Sequence, residues 1–230
     1  MTVKGLAKLT LLDFPGRVAC TIFTGGCNLR CPFCHNASLA VRAADVDSIP
    51  EGEVFSFLQK RRGVLTGVCI TGGEPLLNYD IDSFIEKIRS LGYAVKLDTN
   101  GCYPEKLRAL IDRGLLDYVA VDIKNSRESY AKTVGIEGFD VSPIEKTVEL
   151  LKEGRVPYEL RTTVVAELHS DEDFKSIGEW ISGAESYFLQ CFNDSGDLIG
   201  EGLTAPTKAD LTRYQDIVKQ YVSNTHIRGI

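Results

Sequence analysis

Short apolar runs alternate with amphipathic segments along most of this chain. Six runs are rich in β-branched and aromatic residues and are bounded by Gly, Pro, Asn or Asp, a pattern typical of buried strands. They occupy residues 18–23, 67–71, 94–98, 118–122, 158–165 and 187–191. Between them, apolar residues recur every three or four positions, as at Phe84, Ile85 and Ile88, which predicts helices with one buried face.

The alternation of strands and helices predicts a parallel sheet with right-handed crossovers. A closed eight-stranded barrel has two more repeats and typically needs ~250 residues, whereas this chain has 230. We therefore predict an α/β fold in which residues 1–230 form one domain, a partial (β/α)6 TIM-like barrel with parallel strands. Catalytic groups of such folds lie at the C-terminal ends of the strands, so polar residues at those positions are candidates for a site.

Three of the seven cysteines lie in the loop after the first predicted strand, at Cys27, Cys31 and Cys34. Thiolate ligands select iron-sulfur clusters or zinc. No fourth Cys or suitably spaced His follows, so one metal position stays open, whereas structural zinc and most electron-transfer clusters have four protein ligands. The spacing therefore favours an iron-sulfur cluster with one iron free to bind a substrate or cofactor.

Other interpretations of this loop remain open. Residues 31–35 match the CxxCH pattern of c-type haem attachment, and the CxxC within them matches a thioredoxin-like redox pair. Haem attachment requires export, yet Asp13, Pro15 and Arg17 interrupt the apolar stretch that a signal peptide would need. A redox pair would leave Cys27 unexplained, and a zinc site would lack its fourth ligand.

Charge and composition restrict the class of partner. The formal net charge is -6 at pH 7, so the chain has no basic footprint for nucleic acid or for an anionic membrane surface. No apolar run reaches the ~18 residues of a membrane span. An odd number of cysteines grouped in one loop, without a signal peptide, indicates a reducing compartment, and we expect the cytoplasm.

The CxxxCxxC arrangement, with an aromatic residue before its third cysteine, resembles that of the radical S-adenosylmethionine (SAM) superfamily. The further motifs DFPG, CHN, GGEP, DTNG and DIK follow one another in the order seen in glycyl-radical-enzyme activating enzymes. They lie at residues 13–16, 34–36, 72–75, 98–101 and 122–124. The chain is most similar to the activating proteins of anaerobic ribonucleoside-triphosphate reductase, with pyruvate formate-lyase activating enzyme next. A small-molecule radical SAM enzyme, such as a 7-carboxy-7-deazaguanine synthase, and a non-enzymatic metal or redox carrier are the alternatives.

The resemblance implies a [4Fe–4S] cluster and SAM as cofactors. One-electron reduction of SAM would give a 5′-deoxyadenosyl radical, which would remove a hydrogen atom from a glycine of a partner enzyme. The implied partners are a glycyl-radical enzyme, with anaerobic ribonucleotide reductase preferred, and an electron donor of the flavodoxin or ferredoxin type. No nucleic acid and no membrane are expected to take part.

The resemblance also implies roles for individual residues. The cluster ligands would be Cys27, Cys31 and Cys34, and Glu74 would accept a hydrogen bond from the SAM ammonium group. Gln190 lies near the position of a SAM-contacting histidine in the formate-lyase activators. The residues expected to bind the cofactor are Phe33, His35, Gly72, Gly73, Glu74, Asp98, Thr99, Asp122, Lys124, Arg161 and Gln190.

Two of these assignments carry alternatives. Asp98, Thr99 and Asp122 match a monovalent-cation site beside the SAM carboxylate in the formate-lyase activators. A cation or Lys124 would make electrostatic sense there, because two nearby aspartates repel each other. Arg161 either faces the SAM carboxylate or pairs with an acid inside the barrel.

The remaining cysteines and histidines are expected to be structural. Cys20, Cys69 and Cys191 lie in apolar strands, where a free cysteine behaves as a small buried hydrophobe. His169 and His226 lie in polar segments and are expected to be exposed to solvent.

Cys102 is the strongest rival as a cluster ligand, because it follows a turn at the end of a predicted strand. We expect Cys102→Ala to keep its iron after anaerobic reconstitution, whereas Cys31→Ala should lose it. Iron content of the two purified variants is the measurement. Equal loss of iron from both variants would contradict a site with three thiolates.

Overall fold

The computed structural model describes residues 1–229. One eight-stranded sheet runs through it, and the order of the strands in space is their order in the chain. Strand β1 is antiparallel to β2, and the strands from β2 to β8 are all parallel. The strands are β1 (Val3–Thr10), β2 (Ala19–Thr24), β3 (Gly67–Gly72), β4 (Ala94–Thr99), β5 (Tyr118–Asp122), β6 (Tyr158–Val164), β7 (Tyr187–Cys191) and β8 (Thr225–Arg228).

Within residues 1–229 no ladder joins β1 to β8, so the sheet is open on that side. A helix follows each of the strands β2 to β7, as right-handed crossovers require. The helices are α1 (Ala37–Val41), α2 (Glu51–Lys60), α3 (Ile81–Ser90), α4 (Pro104–Asp112), α5 (Tyr130–Val134), α6 (Ser142–Lys152), α7 (Asp171–Trp180) and α8 (Lys208–Lys219). The predicted α/β fold, an incomplete barrel of parallel strands, is confirmed.

Local sequence explains where several helices begin. Pro104 and Pro143 stand in the first turn of α4 and α6, where the missing amide hydrogen costs nothing. Ser170 and Thr207 cap α7 and α8 in capping boxes, each with an aspartate three residues later. No helix within residues 1–229 is long and apolar enough to cross a membrane.

All six predicted strands are present, but the sequence pattern missed β1 and β8. The short strand β8 is polar and pairs with β7, and Arg228 at its end adds side-chain contacts. That guanidinium donates to both oxygens of Glu159, which is 1% exposed, and lies 3.4 Å from the ring centroid of Phe188. A contact between residues so distant in sequence leaves no local pattern. The helices α1 and α5 were not predicted, because five residues are too few to show a helical period.

The expectation that His169 is exposed was wrong, whereas His226 is exposed as expected. His169 is 6% exposed, and its ring bridges two backbone segments. Its Nδ1 atom accepts from the Val165 amide at 3.1 Å, and its Nε2 atom lies 3.0 Å from the Lys124 carbonyl oxygen. The ring therefore supports the end of β5, where predicted site residues are found.

Candidate functional site

A cavity of about 380 Å³ opens at the C-terminal ends of the parallel strands. Twelve of the fourteen predicted site residues line it, and only Cys31 and Glu74 do not. The predicted residues in its wall are Cys27, Phe33, Cys34, His35, Gly72, Gly73, Asp98, Thr99, Asp122, Lys124, Arg161 and Gln190. Predicted residues from six strands, or from the loops after them, therefore meet at one cavity.

The cysteine loop follows β2 and is held by backbone hydrogen bonds from several directions. Gly26 N donates to Leu39 O at 2.8 Å, and Arg30 N donates to Val134 O at 2.9 Å. The amide of Leu29 donates to Cys27 Sγ at 3.4 Å. These contacts connect the loop to α1 and to the end of α5.

The three thiols of this loop differ in burial. Cys27 and Cys34 are half-buried in the cavity wall, whereas Cys31 is 7% exposed. Burial raises the pKa of the Cys31 thiol to about 12, against the opposing charge of Lys124. Coordination to a metal deprotonates such a thiol, because the metal charge replaces the proton.

The GGEP loop after β3 lies directly against the cysteine loop. Gly73 N donates to Thr24 O at 2.9 Å, and Glu74 N donates to Gly26 O at 2.7 Å. A Cβ atom on Gly73 would lie 1.9 Å from Gly26 O, and one on Gly72 would lie 2.3 Å from Thr24 N. Both positions therefore need glycine, and the close approach they permit is to the neighbouring strand and loop.

Glu74 is fully buried, and protein groups occupy both of its carboxylate oxygens. Oε1 accepts from Leu76 N at 3.0 Å and from Thr99 Oγ1 at 2.8 Å, and Oε2 accepts from Asn100 N at 2.7 Å. Burial raises the pKa of Glu74 to about 7, although these hydrogen bonds oppose the shift. The carboxylate joins the GGEP loop to the end of β4, and its predicted contact with SAM remains a prediction.

Five charged side chains form a continuous network beside the cavity. Arg161 lies between two aspartates, with Nη1 3.0 Å from Asp98 Oδ2 and Nε 2.5 Å from Asp122 Oδ1. Lys124 Nζ lies 2.9 Å from Asp122 Oδ2, and Lys96 pairs with Asp98. Arg161 thus pairs with barrel acids, which was one of its two predicted roles, and it also lines the cavity.

The network determines the charge state of its members. Burial alone would raise the pKa values of Asp98 and Asp122, but neighbouring cations outweigh it and hold both below their usual range. Arg161 and Lys124 line the cavity and can meet an anionic ligand group such as a carboxylate, although Asp13 lies in the same wall. The predicted monovalent cation would have to compete with Arg161 for the same two aspartates.

Aromatic side chains complete the wall beside the cysteine loop. Phe33 is 3% exposed, and Lys124 Nζ lies 5.7 Å from its ring centroid. The His35 ring stacks on Phe192, with centroids 5.5 Å apart. Such apolar faces next to convergent charges are typical of a small-molecule site.

Several residues of the site escaped sequence analysis. Lys96 is 2% exposed. The sequence feature that could have indicated it is a charged residue inside an apolar strand, on the same face as Asp98. Cys191 was expected to be buried but is half-buried and lines the cavity. Asn100 was recognised as a polar residue at a strand end but was given no role, and it also lines the cavity.

The arrangement fits a cuboidal cluster. Among residues 1–229, no group of three or more His, Cys, Asp or Glu side chains is placed to hold a single metal ion. In a [4Fe–4S] cluster each thiolate binds a different iron, so the three sulfurs need not meet at one point. Cys27 and Cys34 in the cavity wall, with Cys31 behind them, provide this donor set beside a space for a small ligand.

Comparison with known proteins agrees with this geometry. The family model described as "Radical SAM superfamily" matches residues 21–181. The chain therefore belongs to the radical SAM superfamily, and it is an enzyme that uses a [4Fe–4S] cluster and SAM. This membership decides against the zinc, haem, thioredoxin-like and non-enzymatic carrier interpretations of the cysteine loop.

One relative that matches over nearly its whole length indicates which group of radical SAM enzymes this chain resembles. The chain is 32% identical over 237 residues to a Methanocaldococcus jannaschii protein named "Putative glycyl-radical enzyme activating enzyme", covering 99% of this chain and 96% of that protein. This chain is thus a homologue of the glycyl-radical enzyme activating enzymes over nearly its whole length.

Solved structures support the fold. A domain of pyruvate-formate lyase-activating enzyme from Bacteroides vulgatus superposes with a TM-score of 0.58 at 17% identity, covering 71% of this chain and 99% of that domain. Streptococcus suis SuiB bound to S-adenosylmethionine gives a TM-score of 0.69 at 17% identity, covering 91% of this chain and 52% of that chain.

Arg161→Met is expected to destabilise the protein strongly at pH 7. Removing one partner of a buried ion pair costs about 3–5 kcal/mol, because the remaining charges stay buried and unpaired. Since the pKa values of Asp98 and Asp122 are depressed, their contribution to the stability of the wild type is present above about pH 4 and is lost as pH falls. The difference in unfolding free energy between wild type and variant should therefore shrink as pH is lowered below about 4.

Arg213→Met is the control, because Arg213 pairs with Asp171 and Asp210 on the exposed surface. Chemical denaturation of the metal-free proteins at several pH values is the measurement. The control should lose much less stability. A loss for Arg161→Met no larger than that of the control, or one independent of pH, would contradict the assigned network.

Proposed function

We propose that this radical SAM enzyme installs a glycyl radical in a partner enzyme, and that the partner is an anaerobic ribonucleotide reductase. The observation that carries the proposal is the similarity of 32% identity across 99% of the chain to a relative named for glycyl-radical enzyme activation. The motifs DFPG and CHN, quoted above, favour an activating enzyme over small-molecule enzymes such as the deazaguanine-forming synthases. The formate-lyase type is disfavoured because Gln190 lies near the position where those activators have a SAM-contacting histidine.

Two features of the fold agree with an activating enzyme that acts on a protein. The sheet is open between β1 and β8 within residues 1–229, so the inside of the barrel can be reached from the side by a segment of another chain. The described chain between Cys34 and β3 contains only α1, α2 and a short 3-10 helix, Ala43–Asp45. This short connection leaves no room for an inserted ferredoxin-like segment, as in the activators that lack one.

The roles of the site residues follow from their positions. Cys27, Cys31 and Cys34 would hold the cluster, and Arg161 and Lys124, which line the cavity, would orient the carboxylate of SAM. When bound, the reduced cluster and SAM supply a 5′-deoxyadenosyl radical that removes hydrogen from a glycine of the partner. The chain itself binds, orients and shields the reactants from water, and no side chain need act as a general base.

Phe33 and His35 would line the adenine side of the cofactor, and Gly73 would approach its amino group through backbone atoms. Gln190 faces the cavity from β7, which suits a contact with SAM from the last part of the barrel. The electron would come from a donor of the flavodoxin or ferredoxin type.

The test is the formation of a glycyl radical in a candidate partner. The reconstituted enzyme is incubated anaerobically with SAM, a reductant and either anaerobic ribonucleotide reductase or pyruvate formate-lyase, and electron paramagnetic resonance (EPR) detects the radical. We expect the glycyl signal with the reductase, and none when Cys31→Ala replaces the wild type.

A signal with formate-lyase alone would replace the proposed partner by that enzyme. SAM cleavage without a glycyl radical in either protein would overturn the activating function and leave a radical SAM enzyme with another substrate.

A further inference from the structure

Asn100 stands where the three loops of the site meet, directly after β4. It is 6% exposed, and its polar groups contact three different segments. Its backbone amide donates to Glu74 Oε2 at 2.7 Å, and its side-chain Oδ1 accepts from Cys102 N at 3.0 Å. Its Nδ2 group donates to Asn28 Oδ1 at 2.8 Å and to Cys27 Sγ at 3.8 Å.

The hydrogen bond with Cys102 determines which way the amide points. Oδ1 must face the Cys102 N–H, which can only donate, so the NH2 group must face Cys27 and Asn28. The contact between Nδ2 and the sulfur is therefore that of a donor with an acceptor. It is 3.8 Å long, compared with 3.4 Å for the bond from Leu29 N to the same sulfur.

Cys27 also differs from the other two cysteines of the loop. Its sulfur accepts from Leu29 N and from Asn100 Nδ2, whereas among residues 1–229 no hydrogen bond to the sulfur of Cys31 or Cys34 is present. The backbone donor is a property of the loop itself, but the side-chain donor comes from a different strand.

A hydrogen-bond donor at a ligating sulfur changes the electronic state of a cluster. Reduction adds negative charge that spreads onto the thiolate sulfurs, and a nearby N–H dipole stabilises this more negative state. The donor therefore raises the reduction potential, and its loss makes the cluster harder to reduce.

We propose that Asn100 is a positioning residue that sets the reduction potential of the cluster through its hydrogen bond to Cys27. Asn100 is fixed at its backbone by Glu74, whose own amide is bonded to Gly26 in the cysteine loop. The GGEP loop thus holds both the cysteine loop and the donor that acts on it. This inference rests on the cluster site alone and is independent of the partner enzyme.

The test compares reduction potentials in the absence of SAM and partner. Asn100→Ser keeps an oxygen that can accept from the amide two residues later, adds no charge and cannot reach Cys27. Asn100→Asp keeps the shape and the acceptor for Cys102, but replaces the donor by an oxygen. After iron content has been verified, the midpoint potential is measured by a redox titration followed by EPR.

We expect a midpoint potential more negative than that of the wild type in Asn100→Ser, and one more negative still in Asn100→Asp because of its added charge. Asn78→Ser is the matched control: the amide of Asn78 donates to Pro75 O beside the GGEP loop and contacts no cysteine. Its potential should equal that of the wild type.

A wild-type potential in a fully loaded Asn100→Ser protein would overturn the proposal. If that variant fails to load, the same titration of Asn100→Asp decides the question. Failure of both to take up iron, with the control loading normally, would show that Asn100 only builds the loop and would also overturn it. A failed glycyl-radical assay would leave these potentials unaffected, so the two proposals fail separately.

Discussion

The close backbone contact between the cysteine loop and the GGEP loop is the constraint on which the rest of the site depends. Gly73 lies so near Gly26 O that a single added carbon would overlap it, and the next amide, that of Glu74, donates to the same oxygen. Because backbone atoms alone make this contact, the distance between the loops cannot vary with side-chain rotamers. Glu74 extends the connection to the end of β4, where its buried carboxylate holds Thr99 and Asn100.

Electrostatic balance is the second requirement. Two aspartates at the ends of neighbouring strands would repel each other in a buried site, and Arg161 lies between them while Lys96 and Lys124 pair with their outer oxygens. Arg161 and Lys124 also line the cavity, where they are available to an anionic group of a ligand. The same five side chains thus link strands β4, β5 and β6 through ion pairs.

Much of this could be predicted from sequence, because the relevant signals were local. The apolar runs gave the six inner strands. Polar residues at their C-terminal ends, together with the motifs of the family resemblance, gave twelve residues of the cavity wall. What was missed depends on contacts between distant residues. In strand β8, Arg228 contacts Glu159, and the burial of His169 depends on Val165 and on the Lys124 carbonyl. The contact of Glu74 with Asn100 likewise could not be predicted, because the GGEP motif alone does not show which groups its carboxylate contacts.

The central claim is that three thiolates leave one iron of the cluster open and that SAM binds there. The direct measurement is the EPR spectrum of the anaerobically reconstituted and reduced protein, recorded before and after SAM is added. A signal of a reduced [4Fe–4S] cluster whose line shape changes when SAM is added is the predicted result. An unchanged spectrum at saturating SAM, with a fully loaded cluster, would contradict the claim, because the open iron would then not be the place where SAM binds.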